Sequence, residues 1–371
     1  MKRTFYSFSF GCRVNEAEKI ALDKKLLALD YKWDEFHPDF YIINSCAVTG
    51  KAEREVRQHI YQTRKKFPET IIVVTGCAAT SWKQQNIQIT EIDYLIENTK
   101  KDKIPEILSQ NHLSGLQIQS PKDKKNTINI HDKFISSGRR MIKIQDGCDR
   151  FCSYCIVATL RGKPQSRSIE NIVKEIQANE SETQEIILTA INTECFGKDT
   201  GETLIGLIQA ILKNTTIPVI SFGSIHPWSI TDEFLSFYTS ILSTNRFLPF
   251  FHIPIQSGSD TILRLMNRGY TSDEIKNTVI KLKTINPNTI IGTDIIVGFP
   301  GETDREFQET YDFLQTSPID KIHVFRFSPR IGTAAEKLRK IYKEPTPIEK
   351  RERSAKLIKL HELKNSLRTT T

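Results

Sequence analysis

The sequence contains no apolar run approaching the roughly 20 residues that a membrane-spanning helix requires. Its first residues, Met1-Lys-Arg-Thr-Phe-Tyr6, carry no secretory signal pattern and pass straight into an alternating strand. These absences argue against a membrane or exported protein and favour the cytoplasm. An even disulfide set is missing too: the chain has seven cysteines, and in a reducing compartment an odd number argues for metal ligation. No internal repeat stands out. Net charge is close to zero over most of the length. From Lys337 onward eleven Lys and Arg face four Glu, so the tail holds seven of the eight net positive charges. A basic tail on a nearly neutral body suits a polyanion, most simply nucleic acid, and a solvated helix face is the alternative.

What is present is enough for two domains with real cores, or one barrel with additions. Residues 1–108 alternate strand and helix signals. Thr4 to Phe10 is an aromatic strand, Val14 to Leu29 has helical spacing, and Phe40 to Asn44 is a short buried strand. Thr49 to Lys66 is a charged helix, and Thr70 to Thr75 is a β-branched run. This order predicts a doubly wound parallel α/β domain. Residues 109–137, rich in Ser, Asn, Gln and Lys without a clear period, read as a linker. From 138 to 336 the alternation returns about six times, which predicts a partial barrel of six βα units with its active site at the strand carboxyl ends. Residues 337–371 form the basic tail. It reads as an amphipathic helix whose apolar residues Ile348, Leu357, Leu360, Leu363 and Leu367 pack on the barrel while its charges point outward.

Two sets of cysteines stand out against this frame. Cys148-Asp-Arg-Phe-Cys152-Ser-Tyr-Cys155 directly follows the first barrel strand. Three thiolates from one loop suit an iron-sulfur cluster that keeps one iron open. A zinc loop or unrelated buried cysteines is the other explanation. The second set is dispersed: three predicted strands of the first domain end as Phe10-Gly11-Cys12, Asn44-Ser45-Cys46 and Thr75-Gly76-Cys77. Strand ends of a parallel sheet lie on one edge, so the three should converge there and form a second cluster site. Further candidates sit at barrel strand ends: Thr189, Ala190 and Asn192, then Ser224, Gln256, Gly298 and Glu302. His252 and His323, inside strands among apolar neighbours, read as barrel-interior residues and not as ligands.

The Cys-x3-Cys-x2-Cys spacing of Cys148, Cys152 and Cys155 resembles the signature of radical S-adenosylmethionine enzymes. The added Cys12, Cys46 and Cys77, with His252-Ile-Pro-Ile-Gln-Ser-Gly258 and Asp294-Ile-Ile-Val-Gly-Phe-Pro-Gly-Glu302, resemble the methylthiotransferases among them. The likeness covers nearly the whole chain. Cys12-Arg-Val-Asn15, Val74-Thr-Gly-Cys77 and Ile322-His-Val-Phe325 look most like the MtaB type, which modifies N6-threonylcarbamoyladenosine beside the tRNA anticodon. The types acting on isopentenyladenosine or on a ribosomal protein fit less well, and a non-catalytic cluster-bearing RNA-binding relative is a further alternative.

The resemblance implies two 4Fe-4S clusters, S-adenosylmethionine, a tRNA substrate and an external electron donor. It implies that Cys148, Cys152 and Cys155 support the radical chemistry and that Thr189, Ala190, Asn192, Ser224, Gln256, Gly298 and Glu302 border the cofactor. Cys12, Cys46 and Cys77 would hold the second cluster, where the transferred sulfur is methylated. Oligomeric state is not indicated. This chain departs from the family in places. Ala158 stands for a usual proline, Ala190 and Glu194 for glycines, and His226 for a glutamate; Cys195 has no counterpart and reads as a free thiol. The small RNA-holding TRAM barrel does not follow the tail. Either the basic tail takes over part of its contact, or RNA binding is weak, or the sequence is shortened.

Overall fold

The computed structural model describes residues 3–110 and 138–368. Most of the stretch read as a linker, 111–137, lies outside the described residues. The chain divides into two units: residues up to Met141 together with Thr159–Arg161, and Ile142–Ala158 together with Gly162 onward.

The first unit is built on a five-stranded sheet of β1 (Thr4–Ser9), β2 (Lys32–Trp33), β3 (Phe40–Ser45), β4 (Ile71–Gly76) and β5 (Tyr94–Leu95). Their order is β2-β1-β3-β4-β5 and every pairing is parallel. All six residues of central β3 are buried, as a strand covered on both faces must be. That double cover explains why Phe40-Tyr-Ile-Ile shows no polar alternation. The helix Gly50–Lys66 begins where the Thr49 side chain accepts from the Ala52 amide, and Arg64, Lys65 and Lys66 crowd its carboxyl end. The edge strands β2 and β5, two residues each, add to the expected set; such short edges carry no period to detect. Phe5, Leu26, Phe40, Ile42, Val73 and Leu108 join in one core.

The second unit carries β6 (Arg139–Asp146) from Ile142 onward, then β7 (Gln165–Ser166), β8 (Glu185–Ala190), β9 (Val219–Phe222), β10 (Phe250–His252), β11 (Ile290–Val297) and β12 (Lys321–Arg326). They form the orders β7-β6-β8-β9 and β10-β11-β12. Two backbone bonds continue one sheet into the other: Leu248 N–H to Ile220 O and Ile225 N–H to His252 O, both 2.9 Å. The six expected strands therefore follow one another as an open barrel, and β7 adds a short antiparallel edge beyond them. Helices Ser272–Ile285 and Asp304–Thr316 each open with a reciprocal cap, Thr271 with Glu274 and Thr303 with Glu306. Such pairs set where a helix starts, which makes these boundaries readable in the sequence.

The carboxyl-terminal helix, Pro347–Arg368, corrects the tail expectation. Leu357 and Leu360 are buried in the barrel core, while Ile348 and Leu363 are exposed; the Leu367 side chain lies outside those described. Its charges do not all point outward. Arg353 is buried against Glu302 at 2.8 Å and Asp304 at 2.9 Å, and Lys350 is buried beside Glu344. Lys364 Nζ donates to the carbonyls of Leu314 and Ser317. A buried carboxylate such as Glu302 needs a cationic partner, and this helix provides it. No described helix is long and apolar enough to cross a membrane.

Candidate active site

In the first unit Cys12 directly precedes the helix Arg13–Ala28, Cys46 follows β3, and Cys77 starts the helix Cys77–Gln84 after β4. β1, β3 and β4 are neighbours in parallel register, so the three cysteines emerge side by side. Two polar side chains tie the strand ends together. Asn15 Nδ2 donates to Phe10 O at 2.8 Å and to Ser45 O at 3.0 Å. Ser45 Oγ donates to Thr75 O at 2.5 Å and accepts from the Ala79 amide at 3.0 Å. Close approach demands glycine here: Gly11 has φ +86°, and a Cβ on it would lie 2.4 Å from Cys46 Sγ.

Behind this edge lies a buried ionic network. Arg161 Nη1 meets Glu18 Oε1 at 2.7 Å, and Arg161 Nη2 donates to Asn15 Oδ1 at 2.7 Å. Lys101 Nζ reaches the same Glu18 at 2.5 Å and Asn44 Oδ1 at 3.1 Å. Burial pushes the Cys46 thiol up to about 12, while the Val48 amide and Arg161 pull toward the thiolate. Two cations behind thiolates are what an anionic cluster asks of its surroundings. Arg161, which follows the other triad in sequence, packs with the first unit, and spacing alone does not reveal this role. Asn15, three residues after Cys12, stands within the motif Cys12-Arg-Val-Asn15, and the fold gives it the task of joining two strand ends.

In the second unit Cys148, Cys152 and Cys155 lie in the loop after β6. Backbone amides point at two of the sulfurs: Arg150 N–H at 3.5 Å from Cys148 Sγ and Val157 N–H at 3.4 Å from Cys155 Sγ. Arg268, buried and unmarked in the sequence, places Nη1 3.2 Å from Cys152 Sγ. Its other nitrogens bind Tyr270 Oη and Pro254 O, and the guanidinium stacks 4.5 Å over Trp228. Cys195 is also fully buried. Its thiol donates to Asp149 Oδ1 at 3.2 Å. The neighbouring Cys195 thiol, the Arg150 amide and Asn192 together lower Cys148 to about 6 against the effect of burial; burial pushes Cys155 up to about 12. A cuboidal cluster carries its thiolates on different irons, so one triad supplies three of its four ligand positions.

The other expected residues divide into two groups. Asn192 belongs with the triad: Nδ2 donates to Cys148 Sγ at 3.7 Å and Cys195 Sγ at 3.2 Å, while its amide donates to Gln145 Oε1 at 3.0 Å. Thr189 is buried just before it, and Ala190 packs against the core. Glu194, the departure from glycine, pairs with Arg150 of the cysteine loop at 2.7 Å and so tethers it. Gln256 holds φ +80° while continuing the pairing to β11, a strain typical of functional sites. Ser224 hydrogen-bonds His252.

Gly298 and Glu302 are placed differently. A Cβ on Gly298 would lie 2.3 Å from Lys350 Cγ, so the tail helix fills that space. The Glu302 carboxylate is taken up by the Gly298 amide at 2.8 Å and by Arg353. Both residues brace the loop after β11 against the tail helix.

Residues 142–314 match the model of the Radical SAM superfamily, and residues 4–97 match that of uncharacterized protein family UPF0004. Threonylcarbamoyladenosine tRNA methylthiotransferase MtaB of Aquifex aeolicus is 34% identical over 340 residues, covering 89% of this chain and 82% of that protein. MtaB of Thermotoga maritima is 32% identical over 89% of this chain and 76% of its own. The tRNA-2-methylthio-N(6)-dimethylallyladenosine synthase of Bacillus subtilis is 32% identical over 91% and 68%. Among solved structures, the radical S-adenosylmethionine methyltransferase TsrM from Kitasatospora setae shares the fold, with a TM-score of 0.63 at 13% identity over 88% of this chain and 75% of that one. An open barrel with three cysteines after its first strand thus defines a radical SAM enzyme. Within that class, the chain belongs to the tRNA methylthiotransferase family.

S-adenosylmethionine and 4Fe-4S clusters are the cofactors of this family, and the residues present fit them. Each unit offers three thiols with directed amides or cations, and Gly11 lets Cys46 approach the first strand end where a side chain would collide with its sulfur.

Proposed function

We propose that this chain converts N6-threonylcarbamoyladenosine near the tRNA anticodon into its 2-methylthio derivative. The observation that carries the reading is the pair of three-cysteine sets, each at the carboxyl edge of a parallel sheet and each backed by its own charged groups. Cys148, Cys152 and Cys155 would hold one cluster, and Cys12, Cys46 and Cys77 the other. When bound, the clusters and S-adenosylmethionine supply radical and sulfur chemistry at a carbon with no useful acidity.

The chain's own residues do the positioning. Arg268 and Asn192 direct hydrogen bonds onto the sulfurs of the second-unit loop, and Glu194 anchors that loop through Arg150. Asn15 and Ser45 hold the three strand ends of the first unit together. An external electron donor is required, and a cytoplasmic location suits a tRNA substrate. RNA would meet the exposed cations of the tail helix, Arg351, Lys356 and Lys359. Neutralising these three should weaken tRNA binding and lower the slope of log affinity against log salt by up to about one for each phosphate that a removed cation had neutralised.

Mass spectrometry of tRNA nucleosides from cells with and without the gene tests the assignment. Loss of 2-methylthio-N6-threonylcarbamoyladenosine is expected. Loss of the isopentenyl counterpart instead, or no change in any nucleoside, would overturn it.

A further inference from the structure

Three adjacent strands bring His252, Asp294 and His323 together on one face of the open barrel. Asp294 and His323 are register partners across β11 and β12, and His252 of β10 pairs with Gly292, two residues before Asp294. Ile291, Ile295 and Val297 face the apolar core, so Gly292 and Asp294 take the opposite face. His252 Nε2 lies 3.1 Å and His323 Nδ1 3.4 Å from Asp294 Oδ1. Their three ligand atoms all lie within 4.8 Å of one another. Gly292 makes room for the ring, since a Cβ there would sit 3.3 Å from His252 Cδ2.

The supporting contacts set the tautomer. His252 Nδ1 lies 2.9 Å from Ser224 Oγ, and the Ser224 hydroxyl donates to Gly223 O at 2.9 Å. With its proton given away, Ser224 is left to accept from Nδ1–H. Nε2 then faces a carboxylate oxygen, and in the neutral tautomer its lone pair is free for a cation that the same carboxylate would share. Metal-bound histidines almost always donate their other N–H in this way.

We propose that His252, Asp294 and His323 bind a first-row divalent cation, separate from both thiolate sets. Two imidazoles and one carboxylate suit Zn, Fe(II) or Mn, and ligands on one side leave further positions open. The His252 side chain is 11% exposed and that of His323 55%, so the open side faces solvent. Water or an anionic oxygen, a carboxylate or a phosphate, would complete the coordination there.

Mn2+ is the probe. The full-length protein, its clusters in the EPR-silent oxidised state, is freed of loose metal and titrated while the six-line signal of free Mn2+ is followed. One ion per chain is expected. His323→Ala removes a largely exposed side chain and should weaken uptake at least about tenfold, as should Asp294→Asn, while Ser224→Ala costs about 10- to 100-fold through the lost support. Unchanged iron content in each variant shows that folding and clusters survive. Equal uptake by the wild type, His323→Ala and Asp294→Asn, or no uptake by the wild type in excess Mn2+, would overturn the site. The readout is metal uptake and not turnover, so its failure would leave the proposed function standing.

Discussion

Cys12, Cys46 and Cys77 reach their site from three different strands, whereas Cys148, Cys152 and Cys155 come from a single loop of eight residues. The first set depends on the register of β1, β3 and β4 and on side chains such as Asn15 and Ser45 that lock the strand ends. The second depends on local chain geometry and on contacts that arrive from elsewhere, notably Arg268 and Asn192. A dispersed site of this kind should be sensitive to the packing of its whole unit. A loop site should be sensitive mainly to its own residues.

The largest contrast comes from removing each triad. Replacing Cys148, Cys152 and Cys155 with Ala should abolish cleavage of S-adenosylmethionine to 5'-deoxyadenosine and lower reconstituted iron from about eight to about four per chain. Replacing Cys12, Cys46 and Cys77 should lower iron equally and leave that cleavage in place. Iron that responds to neither would end the two-cluster assignment.

Next in size is the network behind the first triad. Arg161→Ala removes a buried cationic partner of Glu18 and should cost about 3–5 kcal/mol in denaturant unfolding. Gly11→Ala places a Cβ against Cys46 Sγ in left-handed backbone. It should cost about 1–3 kcal/mol and remove iron from the first site alone, a split that Mössbauer quantitation of the two clusters would read.

A smaller effect belongs to the second unit. Burial, with Arg268 beside it, lowers His226 to about 3 from its ordinary 6.5. The unfolded chain therefore binds a proton that the folded chain refuses. The stability from the neutral ring is complete above pH 6.5 and is lost as pH falls toward 3, at up to about 1.4 kcal/mol per pH unit. His226→Gln should flatten the fall in unfolding free energy between pH 6.5 and 5. The smallest change is expected from Cys195→Ser, which should leave reconstituted iron unaltered; halved iron would make Cys195 a ligand.

Much of the fold is legible in residue order. The period of Thr4 to Ser9, the β-branched run Ile71 to Val74 and the caps at Thr271 and Thr303 carry their own structural instruction, because strand pleat and helix capping are local. The spacing of Cys148, Cys152 and Cys155 is local in the same sense, and a loop of that length has few ways to arrange three thiols. Placing Cys12, Cys46 and Cys77 together requires the further rule that parallel strands end on one edge.

Other features lie beyond local order. Arg161 follows the loop triad yet packs with the first unit, and Lys350 and Arg353 turn inward from a helix whose composition suggests solvent. Gly298 and Glu302 sit in a cofactor-like motif but are taken up by that helix. His252 and His323 read as interior histidines until strand register sets both against Asp294. Each of these depends on contacts between residues distant in sequence. For the last group, a one-residue slip in strand pairing would turn a side chain to the opposite face, so only the folded register decides it.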